Sequence, residues 1–249
     1  MLERIAHDTF LEIRLARPPV NALDPALLAA IAEAFAPAQL RGADGVLLSG
    51  GPKVFSGGLD VPHLMSLDRA GLTAAWGRFF AAARAVANCP VPVAAAIAGH
   101  SPAGGCVLAL CCDYRVMARG AFRIGLNETQ VGLAVPDAIQ ALMRRVVGAH
   151  RAEKLLVAGA MVEADEALRI GLVDELTDLE HVPARALNWL RELSALPREA
   201  LRKTRSIARA DLHAALAAFG DDDLDGFVDG WFHKGTQDAL RALVAKLGK

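Results

Sequence analysis

Residues 10–15 alternate: Phe10, Ile13 and Leu15 interleave with Glu12 and Arg14 to give one apolar and one mixed face, and Arg17-Pro18-Pro19 ends the extended segment. The period then changes. Asp24 before Pro25 marks a helix start with proline at the first helical position, and Leu27, Leu28, Ile31 and Phe35 form its buried stripe. Residues 46–49 read as a short buried strand, and residues 50–58 as a glycine-rich loop suited to close backbone approach. Helical spacing returns over 73–86, residues 91–98 form a strand-sized apolar run, and Gly99-His100-Ser101-Pro102 turns the chain into a helix over 103–112. Residues 114–118 and 122–125 are extended and lead Asn127-Glu128-Thr129-Gln130 into a loop, before a helix carrying Ile139, Leu142, Met143, Val146 and Val147.

From His150 onward the texture is helical, over 151–158, 163–170, 184–193, 197–208 and 236–247, and only 172–176 reads as a strand. The pattern therefore predicts a mixed α/β main body over residues 1–195 and an amphipathic, strand-free segment over 196–249.

Composition sharpens this picture. Alanine supplies 49 residues against 13 aromatics, which favours close-packed helices over an aromatic-rich β sandwich. With 53% apolar and 22% charged residues the chain has material for a core, which excludes disorder as its overall state. Twenty-seven basic residues against 28 acidic leave a formal charge of −1, so no general field exists to hold nucleic acid or an anionic membrane. No window approaches the roughly 18 apolar residues of a membrane span, and the first residues lack the pattern of a signal peptide. A cytoplasmic protein is expected. Cys89, Cys106, Cys111 and Cys112 read as small core residues, and the acidic run Asp221-Asp222-Asp223 as a solvated helix entry rather than a metal site.

The dinucleotide GxGxxG, the P-loop and HExxH are absent. Gly99-His100-Ser101-Pro102-Ala103 approaches a hydrolase nucleophile elbow but has alanine where the second glycine is needed, which argues against Ser101 as a nucleophile. Two glycine-bearing turns and the isolated carboxylate of Glu128 remain. Together they suggest proton abstraction next to a carbonyl, with backbone N–H groups supporting the oxyanion and Glu128 as base.

Four stretches then carry a family resemblance in order: RPPVNALD (17–24), FSGGLDV (55–61), SPAGGCVLALCCDYRV (101–116) and IGLNETQVGLAVP (124–136), with AEKLLVAGAMVEADEALRIGLVDEL (152–176) following. In these the chain resembles the crotonase (enoyl-CoA hydratase/isomerase) superfamily, most of all its mitochondrial-type Δ3,Δ2-enoyl-CoA isomerases. The resemblance implies an α/β fold of the ClpP/crotonase-like kind, a spiral of ββα repeats with a C-terminal helical trimerisation segment. It also implies an acyl-CoA thioester substrate, a homotrimer or dimer of trimers, and no metal or redox cofactor, coenzyme A being part of the substrate.

By the same resemblance the oxyanion-hole amides fall on Leu59 and Gly104, and the base on Glu128. Hydratases of the family use two glutamates; the place of the first is Val107 here, so isomerisation is expected over hydration. A hydratase, a dienoyl-CoA isomerase and a non-catalytic acyl-CoA binding protein are the alternatives. Asp137 is either a helix cap after Pro136 or a second acid. Arg17 and Lys53 are candidates for the coenzyme A phosphates, Gly58 and Gly105 for close contact with the substrate, and Leu64, Met65, Trp76 and Phe80 for the acyl pocket. Family members often add an aromatic and a lysine from a neighbouring subunit's last helix, where this chain offers Leu243 and Lys246.

Overall fold

A computed structural model describes residues 1–247; Gly248 and Lys249, the end of the segment assigned above to the C-terminal helices, lie outside the described residues. The alternating segment forms β2 (Phe10–Leu15) and pairs antiparallel with β1 (Leu2–His7), Leu2 opposite Leu15 and His7 opposite Phe10. The remaining strands are β3 (Gly45–Ser49), β4 (Lys53–Val54), β5 (Val93–Ile97), β6 (Gly99–Pro102), β7 (Tyr114–Ala118), β8 (Arg123–Gly125), β9 (Met161–Glu163) and β10 (Glu175–Thr177). They form a six-stranded sheet in the order β1-β2-β3-β5-β7-β10 and a four-stranded sheet in the order β4-β6-β8-β9.

The chain steps from the first sheet to the second and then into helix, by β3 to β4 to Arg69–Ala87, β5 to β6 to Gly104–Leu110, and β7 to β8 to Asp137–Val147. This is the expected ββα spiral. Two of the segments read as loop or turn, Lys53–Val54 and Gly99–Pro102, are strands instead. Their glycine and polar residues carry no strand signal, and they exist because consecutive turns of the spiral bring them into parallel register, Val54 opposite His100 and Pro102 opposite Gly125. The expected strand at 172–176 falls slightly later, at Glu175–Thr177, where it can pair with β7.

β3 and β5 are buried along their whole length because the six-stranded sheet is covered on both faces. Leu47, Ala94, Ala96 and Val116 face the helix Val182–Ser194, while Val46, Leu48, Val93, Ala95 and Ile97 face the main core. Leu212, Leu216, Val228, Trp231 and Leu240, from the helices Ala210–Ala218, Asp221–Trp231 and Lys234–Leu247, join that same core.

One ionic cluster binds the helix Arg198–Ala208 and the residue after it to the body. Asp113 receives Arg205 at 2.8 Å and Arg209 at 2.8 Å. The two guanidiniums also donate to carbonyls that the ends of two helices leave free: Arg205 to Cys89, and Arg209 to Ala87 and Cys111. Asp221 to Asp223 occupy the first turn of their helix, the favourable end for negative charge. All four cysteines are buried and unpaired, and burial pushes their thiols up. No helix among the described residues is long and apolar enough to cross a membrane.

Candidate active site

Where β6 and β8 end side by side, the amide of Ala103 donates to the Gly125 carbonyl at 2.8 Å. This link fixes two segments at once. Gly104 follows Ala103 as the first residue of the helix Gly104–Leu110, and Glu128 follows Gly125 at the start of a short 3-10 turn, Glu128–Val131. Ala103 is held at φ 48°, ψ −119°, a left-handed conformation that is costly for a residue with a side chain. The consequence is a sharp corner whose next amide, Gly104, belongs to the first turn of the helix and donates to no acceptor among the described residues.

The second amide is placed by the early chain. Leu23 donates to the Gly58 carbonyl at 2.8 Å and accepts from Asp60 at 3.2 Å, so the residue between them, Leu59, keeps its own N–H free. Gly58, at φ +81°, packs so tightly that a Cβ there would stand 3.3 Å from the Gly104 nitrogen. The Leu59 and Gly104 backbone nitrogens are therefore close neighbours, and both residues border one cavity.

The cavity has a volume of about 800 Å³, and its wall includes Leu59, Ala103, Gly104 and Glu128. Glu128 is 9% exposed, and its Oε2 is sealed from solvent without a hydrogen-bond partner. Burial raises the acid from its ordinary value of 4.5 to about 7, because the charged form loses water and gains no compensating cation. Its loop is tied down by bonds that leave the carboxyl free: Thr129 to the Leu156 carbonyl at 2.8 Å and Thr236 to the Gly132 carbonyl at 2.8 Å.

The other candidates divide. Arg17 and Trp76 line the cavity. Arg17, however, lies 3.0 Å from Asp24 and 2.7 Å from Asp60, so its charge is already neutralised by two carboxylates. Leu64 and Phe80 are core residues instead of cavity wall, Phe80 stacking on Phe219 with ring centroids 3.8 Å apart. Met65 packs against the core, and Lys53 is exposed on β4; neither belongs to the wall. Gly58 and Gly105 also lie behind it. A Cβ on Gly105 would meet the Ser56 carbonyl at 2.7 Å, so that glycine is needed for close packing of two chain segments.

Val107 is fully buried and outside the wall, and Asp137 points away, its side chain 87% exposed and paired with Arg144 at 2.7 Å. Asp137 occupies the first turn of its helix without capping it. Leu243 lines the cavity of its own chain, with Trp231, while Lys246 is exposed.

Sequence reasoning missed several wall residues. Phe79, Ile139, Trp231 and Leu243 make one part of the cavity apolar, and His100 and Asn127 add polar groups. Reading GHSP as a strand would have put His100 and Pro102 on one face, opposite the buried Ser101. Nothing local marks Trp231 or Leu243, which arrive from a helical segment over 100 residues away in sequence from Glu128.

A buried carboxyl poised near neutrality in a cavity with two neighbouring amides can take a proton from carbon beside a carbonyl while the amides hold the developing negative oxygen. The ββα spiral carrying this pair defines an enzyme of the crotonase fold. The sequence profile of the enoyl-CoA hydratase/isomerase family matches residues 6–247, and the chain belongs to that family. Human mitochondrial enoyl-CoA delta isomerase 1 is 30% identical over 240 residues, covering 94% of this chain and 79% of that relative. A probable enoyl-CoA hydratase of Mycobacterium avium is 34% identical over 193 residues, 77% of this chain and 75% of the relative. The crystal structure of human mitochondrial delta3-delta2-enoyl-CoA isomerase superposes with a TM-score of 0.93 at 28% identity, covering 99% of this chain and 98% of that one.

Proposed function

We propose that the protein is a Δ3,Δ2-enoyl-CoA isomerase that moves the double bond of a 3-enoyl-CoA to the 2-trans position, serving oxidation of unsaturated acyl chains. The observation that carries this reading is the solitude of Glu128. Among the described residues the wall contains one other carboxylate, Asp60, and that group is committed to Arg17 and to the His63 amide. Hydration calls for a second acid to orient and exchange protons with water. A 1,3-shift needs a single base.

In the proposed reaction the Glu128 carboxylate takes a proton from C2; the C–H electron pair becomes a C1–C2 double bond as the carbonyl pair moves onto oxygen, giving a dienolate conjugated with the intact C3–C4 double bond. Its oxygen lies between the Leu59 and Gly104 amides. The new carboxylic acid then returns its proton to C4, leaving the double bond at C2–C3 and the base regenerated. Because the proton leaves and returns on one group, no metal or redox cofactor is required. We extend the reading to a homotrimer or dimer of trimers, for which exposed apolar side chains such as Val157, Ile207 and Leu196 offer contact surface.

The test is conversion of 3-enoyl-CoA by the wild type and by Glu128→Gln. The variant is expected to fold and bind thioester but to lose at least about 10² in turnover, the low end for a positioned base. Undiminished turnover would exclude Glu128 as the base, and rapid formation of 3-hydroxyacyl-CoA from 2-enoyl-CoA would favour a hydratase.

A further inference from the structure

β6 turns alternate residues into the cavity, and one of them is a histidine that the reaction above does not use. His100 and Pro102 belong to the wall, while Ser101 between them is fully buried on the other side. The strand is held in place at its start by close packing, since a Cβ on Gly99 would fall 2.0 Å from the Lys53 carbonyl carbon. Only glycine lets β4 and β6 pair so tightly here, and that pairing sets which way His100 faces.

The ring itself is fixed from one side. The backbone N–H of Arg123 donates to Nδ1 at 3.1 Å, and Phe122 packs edge-on with centroids 5.5 Å apart. An Nδ1 that accepts a hydrogen bond leaves the proton of the neutral ring on Nε2, and Nε2 meets no protein partner among the described residues. The histidine therefore carries an oriented, unused N–H donor. Arg17, the arginine in the same wall, cannot take this role because Asp24, Asp60 and the Ala22 carbonyl already occupy it.

Four residue steps lead from His100 to Gly104, which bounds the distance between them at about 14 Å. His100 and Gly104 border the same cavity, and the arm of a thioester whose oxygen sits at the Gly104 amide is long enough to span the distance between them. We infer that His100 binds this arm, donating its Nε2–H to an amide carbonyl of the pantetheine portion, and so selects carrier-bound thioesters over simple ones. The inference rests on the acyl-CoA reading of the cavity.

The experiment separates the two ring nitrogens. In His100→Gln the side-chain N–H can replace Nε2–H, whereas in His100→Asn the side-chain oxygen can replace Nδ1 and keep the Arg123 bond but leaves the cavity donor missing. Binding of the non-reacting butanoyl-CoA is measured by calorimetry, with melting curves for each variant. We expect His100→Asn to bind about tenfold more weakly, as for one lost hydrogen bond, and His100→Gln to stay within threefold of wild type. The reverse order, or equal affinity in all three proteins, would overturn the assignment. Failure of the wild type itself to bind butanoyl-CoA would instead defeat the acyl-CoA reading, and this inference with it.

Discussion

The amide nitrogen of Leu59 lies 3.5 Å from the point a Cβ on Gly104 would occupy. Two segments 45 residues apart are thus brought into van der Waals reach. Under the proposed function a single oxygen bonds both amides, and a methyl group at residue 104 would crowd its approach.

Gly104→Ala is accordingly expected to cripple turnover while leaving the fold. Its Cβ would press on Leu23 Cδ1 at 3.0 Å and Phe79 Cε2 at 3.2 Å, both ends of side chains that can yield slightly. Under the proposed function the oxygen held between the two amides has no such freedom. We expect a fall of about 10² to 10³ in kcat, the cost of one donor in such a hole, with the melting temperature reduced only modestly. Steady-state kinetics alongside a thermal melt measures both.

The pH dependence follows from Glu128. Proton abstraction needs the carboxylate, and burial places its protonation midpoint at about 7. The rate should therefore fall on the acid side, kcat/KM dropping tenfold per pH unit well below neutrality and levelling above it. A profile whose midpoint lies near 4.5 would mean that solvent or a cation reaches the carboxylate in the working enzyme.

The same shift has a consequence for stability. Below pH 4.5 the acid is protonated in both folded and unfolded chains and makes no difference between them. As pH rises the unfolded chain ionises first, and the native state loses stability until the folded group also ionises near pH 7. Glu128→Gln removes this loss, so its stability relative to wild type should improve between pH 4 and pH 8 by on the order of 3 kcal/mol. Urea unfolding of both proteins at the two pH values tests it.

Val107→Glu would restore the second carboxylate of the hydratase pattern in sequence only. Val107 is fully buried and lies outside the cavity wall, so the new acid would be forced into apolar packing without a partner. We expect a loss of at least about 2 kcal/mol of stability and no gain in 3-hydroxyacyl-CoA. A stable variant with new hydration activity would show that the helix can turn this position toward the substrate.

Asp113→Asn tests the ionic cluster. Removing its charge leaves Arg205 and Arg209 facing each other, Arg209 only 6% exposed. An uncompensated buried charge of this kind costs about 3 to 5 kcal/mol, measurable as a shift in the urea midpoint. The loss should be far larger than for Asp137→Asn, whose exposed carboxyl has little to lose.

Much of the fold was legible locally because periodicity records burial. The alternation in 10–15, the apolar stripe after Asp24 and the runs around 46–49 and 91–98 each report a face covered by something else. What covers each face is not encoded nearby. β4 and β6 illustrate the limit: two and four residues long, they are strands only because the spiral stacks them. The same limit explains why Leu64 and Phe80, apolar at helical spacing, looked like pocket lining. Core wall and cavity wall have the same composition, and only the packing of Phe219 on Phe80 assigned that ring to the core.

By itself the sequence determined the chemistry available: which glycine-bearing turns could bring backbone close, and which loop carried an isolated carboxylate between apolar segments. Tertiary structure decided whether those groups meet and in what state. The convergence of Leu59 with Gly104, the neutralisation of Arg17 by Asp24 and Asp60, and the exposure of Asp137 all depend on separations set by long-range strand pairing and packing. So does the raised pKa of Glu128. Desolvation is a property of everything packed around a group, and no window of sequence contains it.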